Sequence, residues 1–222
     1  MLQISSIKKY LALIFLIFLS GTLFARKVPG YIVTATSDTI FGIVKLCQYN
    51  PYTTGFVVGG VNLESYYTMV KFREINQKKY TLYVPEDIMA FGFSFKKVDY
   101  HFKSMGLEFY NRFRSEQIEP RFLCLIYKND IELYKNMVRT HGFVSNKNYN
   151  KNSIVYYDYY LYSEDVGLTQ INTNKDHKNI RELLARYGVE QEFLETLPPK
   201  TNYKNIKSIL VDYFDWKENP EN

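Results

Sequence analysis

The chain has 222 residues, 46% of them hydrophobic, with a formal charge of +5 at pH 7. That length suffices for a domain with a real core. Its basic residues alternate with acidic ones, so no phosphate-tracking stripe forms and nucleic acid is not an expected partner.

Lys8 and Lys9 precede an apolar run from Tyr10 to Leu19, and Leu23-Phe24-Ala25 then leads into Arg26-Lys27. A positive start, a short apolar stretch and a small residue before a polar segment form the pattern of a secretory signal peptide. Cleavage after Ala25 is the expectation. The competing reading is a retained N-terminal anchor, for which the run falls short of the ~20 apolar residues of a spanning helix. Loss of Lys8 and Lys9 with the leader takes the formal charge from +5 to +3. No cysteine near the leader's end invites lipidation, so residues 26–222 are expected as a single mature domain without a membrane span.

The mature chain begins as β-structure. Tyr31–Thr36, a turn at Ser37-Asp38, and Thr39–Gln48 read as two strands, broken by Asn50-Pro51. Gly55, Gly59 and Gly60 mark a loop or a bent edge. Tyr66–Ile75 and Tyr80–Val84 flank Asn76–Lys79 as a hairpin. After the corner Pro85–Ile88, one strand is predicted from Phe91 to about Phe102, with Phe91, Phe93 and Phe95 on one face and Gly92 and Ser94 opposite. Arg121–Tyr127 and Ile131–Met137 form the clearest hairpin, with Asn129-Asp130 suited to the positive φ angles of a tight turn. Ser153–Tyr162 is a further strand.

The period then changes from 2 to 3.6. Ile180, Leu183, Leu184 and Tyr187 share a helical face that Gly188 is placed to cap. A second helix carries Phe193, Leu194 and Leu197 and stops at Pro198-Pro199. A third, capped by Thr201 or Asn202, presents Tyr203, Ile206, Leu210, Tyr213 and Phe214. Strands over residues 30–172 followed by helices over 175–217 predict an α+β fold: an antiparallel meander of hairpins, then about three short helices.

Candidate chemistry is sparse. His101, His141 and His177 stand singly, without the spacing of a metal site, and no nucleophile elbow or phosphate-binding glycine loop occurs. No cofactor or metal is expected. In an oxidising compartment Cys47 and Cys124 are a candidate disulfide; their strand-like contexts suit small apolar core residues equally well. The carboxylate pairs Glu86-Asp87 and Glu164-Asp165 abut turns, and Glu86 and Asp165 are the residues on which a polymer hydrolase would rest. The sharpest feature is Tyr156–Tyr162. Alternation places Val155, Tyr157, Tyr159 and Leu161 on a core-like face, and Tyr156, Asp158, Tyr160 and Tyr162 on one expected to be exposed. Tyr156, Tyr160 and Tyr162 are therefore the candidate partner-binding residues, since flat rings offer area at small entropic cost.

Several stretches resemble a group of uncharacterised exported proteins of Bacteroidota. They are Gly30–Thr34 with Asp38–Gly42, Val70 and Phe72 with Lys79–Ile88, Arg121–Leu123 with Ile131–Lys135, and Tyr203–Trp216. The hairpin of that group usually turns on glycine, where this chain has Asn129-Asp130. The resemblance implies export and a β-rich domain with terminal helices, and supplies no catalytic residues. Some apparent relatives continue into an outer-membrane barrel, which is not carried over. The expected function is thus a non-enzymatic envelope or secreted domain that binds a protein, peptide or glycan, with an envelope-polymer hydrolase as the alternative.

Overall fold

The computed structural model describes residues 27–47, 49–50, 55–56, 61–109, 117–140, 154–171, 180–199, 201 and 203–219. The leader, His141, His177 and Asn202 lie outside the described residues. The side chain of Tyr156 does too.

Ten strands form one antiparallel sheet. They are β1 (Lys27–Thr34), β2 (Thr39–Lys45), β5 (Val70–Glu74), β6 (Thr81–Tyr83), β7 (Ile88–Phe95), β8 (Val98–Phe109), β9 (Gln117–Tyr127), β10 (Glu132–Thr140), β11 (Ile154–Ser163) and β12 (Gly167–Gln170). Their order across the sheet is β12-β11-β10-β9-β8-β7-β1-β2-β5-β6. Two short strands, β3 (Tyr49–Asn50) and β4 (Gly55–Phe56), pair apart from it. The helices follow: α1 (Ile180–Arg186), α2 (Gln191–Thr196) and α3 (Ile206–Glu218). The α+β meander with C-terminal helices is therefore the fold of this protein.

One prediction fails in an informative way. The single strand expected over Phe91–Phe102 is two strands, folded back at Lys96-Lys97, with Phe95 opposite Val98. Both lysines take positive φ, 51° and 64°, which is the geometry of a two-residue hairpin turn. Lysine is an uncommon choice there, so the sequence carried no turn signal. Conversely, Asn129-Asp130 is not a positive-φ turn. Ser37, Lys96 and Lys97 are the positive-φ residues other than glycine among those described, and Asn129 accepts the Asp130 N–H at 2.9 Å through its side chain instead. Tyr66 belongs to a 3-10 turn, Leu63–Tyr66, rather than to a strand.

Alternation gives the sheet two faces. The back face carries Ile32, Val44, Phe72, Phe91, Phe102 and Phe122, all at most 1% exposed. Phe91 stacks on Phe102 at 4.6 Å between centroids and meets Phe122 edge-on at 4.9 Å. The 3-10 turn closes over this cluster: the Tyr66 ring lies 5.1 Å from Phe93 and 5.7 Å from Phe102. Its hydroxyl receives the Cys47 N–H at 3.0 Å. A second back-face core joins Leu133 and Leu161, both fully buried, to the helices through Leu184 and Leu210.

The connection from β6 to β7 curls the sheet. Strand β7 pairs with β1, four positions from β6, yet only Val84–Asp87 join them. Four strand spacings of ~4.8 Å need about 19 Å. Five residue steps of ~3.3–3.6 Å reach roughly 17 Å. The sheet must bend toward its back face, and the Tyr67 carbonyl bridges the concavity to the Phe122 N–H of β9 at 3.0 Å. A bulge where Tyr127 pairs with Leu133 but Leu125 pairs with Tyr134 turns β10 away from β9.

Candidate functional site

The front face holds a trough of about 610 Å³, within the ~300–1,000 Å³ usual for small-molecule sites. Five adjacent strands build it, crossing from Glu132 and Tyr134 on β10, through Leu125 on β9 and His101 and Lys103 on β8, to Ala90 on β7 and Tyr31 on β1. The β6–β7 corner adds Pro85 and Glu86 at one end. Period-two alternation explains why these side chains converge: each is the front-face neighbour of a back-face core residue, as His101 and Lys103 are of Phe102.

Gly92 sets one wall. It pairs with Tyr31 on one side and His101 on the other. A Cβ at Gly92 would lie 2.6 Å from the Tyr31 ring. Only glycine lets that ring fold down across β7, where the Tyr31 hydroxyl hydrogen-bonds His101 Nδ1 at 2.9 Å. Burial pushes the Tyr31 hydroxyl above its ordinary pKa. On the far side of this pair lies a second hollow of about 300 Å³ that includes Phe41 and Ile75, each 67% exposed. Phe41 stands 6.4 Å from Tyr31 between ring centroids.

The opposite wall is a polar chain. Tyr134 donates its hydroxyl proton to Glu132 Oε2 at 2.5 Å. The same oxygen lies 3.5 Å from Lys103 Nζ. Lys103 Nζ sits 4.2 Å from the centroid of the Tyr162 ring, a cation–π contact. Burial first, and the hydrogen bond to Glu132 second, drive the Tyr134 hydroxyl far above its ordinary pKa, so it stays a donor.

The tyrosine strand is divided differently from the sequence reading. Tyr160, expected to be exposed, is buried at 7% in a front-face cluster with Met105, Leu107, Leu123 and Tyr134. Burial, with the Asp158 charge second, pushes its hydroxyl up to about 12. Tyr162 is half-buried against the same cluster and its ring carries Lys103. Tyr157, expected on the core side, is 47% exposed. Alternation itself holds, because Tyr159 and Leu161 do face the helix core. What differs is that the second face is covered at this point by the curled β8–β9 arm.

Glu86 lines the trough, whereas Asp165 lines a separate hollow of about 290 Å³ beside Arg186 and Lys217. Asp87 accepts the Val84 N–H at 3.0 Å and so fixes the corner. No disulfide joins Cys47 and Cys124, and both touch the same back-face cluster. Burial pushes the Cys124 thiol up to about 11. Among the described residues no three metal-ligating side chains converge, and no helix is long and apolar enough to cross a membrane.

Sequence reasoning missed Tyr31, Lys103, Glu132 and Tyr134, and treated His101 as structural. The alternation of β8 held the signal: His101 and Lys103 straddle Phe102 on the opposite face, visible once the strand is broken at Lys96-Lys97. Comparison with protein-family models, curated proteins and solved structures gave no match. Function must therefore be argued from the trough itself.

Proposed function

We propose that this chain is an exported, non-enzymatic binding domain of the envelope or secreted fraction, and that it holds a protein, peptide or glycan partner in the front-face trough. Export rests on the leader pattern of residues 1–25 and on the resemblance to exported Bacteroidota proteins. The binding role rests on one observation. Hydrogen-bonding side chains from three strands, β1, β8 and β10, and from the β6–β7 corner converge on a hollow built across five strands.

The test uses protein expressed with its leader. N-terminal sequencing of the exported form is expected to begin at Arg26; a start at Met1 would refute cleavage. Tyr31→Ala and Glu132→Gln are expected to abolish retention of an envelope component while leaving the circular-dichroism spectrum unchanged. Retention equal to the unsubstituted protein would remove the trough from consideration. The hydrolase alternative draws on Glu86 and Glu132 lining the same hollow. Turnover of an envelope polymer that disappears in Glu132→Gln would establish it in place of simple binding.

A further inference from the structure

We propose that the occupant of the trough is an uncharged oligosaccharide, one of whose sugar rings lies against Tyr31 and Phe41 while its hydroxyls bond the Glu132, Lys103 and His101 side chains. This rests on the trough being the binding site and names its ligand class.

Charge argues first. Besides the tyrosines Tyr31 and Tyr134, the ionisable residues lining the trough are two lysines, Lys103 and Lys128, two glutamates, Glu86 and Glu132, and His101. An excess of neither sign is available to hold a phosphate, an acidic peptide, a cation or a basic peptide. Lys103 is already paired with Glu132 and lies over the Tyr162 ring, while its remaining N–H groups can still donate. Glu86 and Lys128 have no ion pair among the described residues. The trough thus presents donors and acceptors in near balance, which suits a ligand bearing many hydroxyls and no charge.

Backbone pairing argues second. Extended peptides commonly bind by adding a strand to a free sheet edge. The two edge strands of the sheet, β12 and β6, do not line this trough, so addition of a strand to a sheet edge does not account for recognition here. Recognition falls mainly to side chains standing on the sheet surface, beside a gap where β8 and β9 pair no further than Phe102 and Cys124.

The rings argue third. Phe41 is 67% exposed and stands next to Tyr31, whose ring is held by Gly92 and His101. A fixed ring beside an exposed one, bordered by hydrogen-bonding groups, matches a sugar's apolar C–H face and its equatorial hydroxyls. The trough and the smaller hollow share Tyr31 and His101, so a chain of several sugars can cross the ridge between them.

The experiment is calorimetric titration of the protein with chitotetraose, cellotetraose and maltotetraose, and separately with an uncharged random octapeptide pool. Variants are Phe41→Ala, on an exposed side chain whose loss leaves the core untouched, and Glu132→Gln. The expected result is saturable binding of at least one tetrasaccharide, weakened tenfold or more by each substitution. Binding of the octapeptides but of no tetrasaccharide, lost in the variants, overturns the sugar assignment and leaves the trough as the site. Tetrasaccharide binding unaltered by both substitutions overturns the trough reading as well. No binding of any probe at millimolar concentration overturns the sugar assignment.

Discussion

Asp158 shows how a single side chain carries the cost of a crowded sheet. It sits between Tyr157 and Tyr159 on β11, opposite Asn136 of β10, and is half-buried. Burial raises its carboxyl above the ordinary value of 3.8. A carboxyl that holds its proton more tightly in the folded than in the unfolded state contributes stability below pH 3.8. That contribution is lost as pH rises through the folded value. Asp158→Asn is accordingly expected to raise the melting temperature at pH 7 by a few degrees, with the difference vanishing in melts below pH 3.8. An equal difference at both pH values would show that the charge is not its source. At this scale the sequence was legible in part. The strand and its alternation could be read from Tyr156–Tyr162, but the burial of Tyr160 could not, because the residues covering it come from β8, β9 and β10.

Among the elements, α1 was the most faithfully encoded. Its apolar residues Ile180, Leu183 and Leu184 are buried, and Gly188 ends it with φ at 78°. The Gly188 N–H bonds the Ala185 carbonyl at 3.0 Å and the Val189 N–H bonds the Leu184 carbonyl at 3.2 Å. These are the two bonds of a Schellman motif, and Leu184 and Val189 supply its hydrophobic contact. Gly188→Ala is expected to cost ~1–2 kcal/mol, since the left-handed conformation penalises a Cβ by that amount. It should read as a lower urea midpoint with an unchanged slope. The helix α3 was found from its periodicity, but its start was not: Thr201 donates to the Pro198 carbonyl instead of capping it, and Ser208 bonds the Asn205 carbonyl. The β7–β8 turn was missed for the opposite reason. Local propensity opposes positive φ at Lys96-Lys97, and the hairpin is held by the Phe93–Tyr100 and Phe91–Phe102 stacks.

For the whole molecule, one sheet threads both back-face cores, and this predicts that they melt together. Trp216, the single tryptophan, packs against the helix core, whereas Phe91 lies in the other. Phe91→Ala is expected to cost ~3–5 kcal/mol. It should lower the midpoint reported by Trp216 fluorescence as much as that reported by far-ultraviolet circular dichroism. A Trp216 midpoint left in place would mean that the helix core unfolds on its own.

The short-range pattern alone determined the leader motif, the strand-then-helix order, the antiparallel class and most helical faces, because these depend on periodicity and capping within a few residues. The trough did not follow from it. Tyr31 meets His101 across Gly92 only because β7 returns to pair with β1 rather than with β6, and Lys103 meets Glu132 only because β8, β9 and β10 lie side by side. Those pairings are fixed by the curl that the short Val84–Asp87 connection imposes and by the burial of aromatic residues distant in sequence. A site assembled from five strands is a product of tertiary structure, and its residues carry no shared signal along the chain.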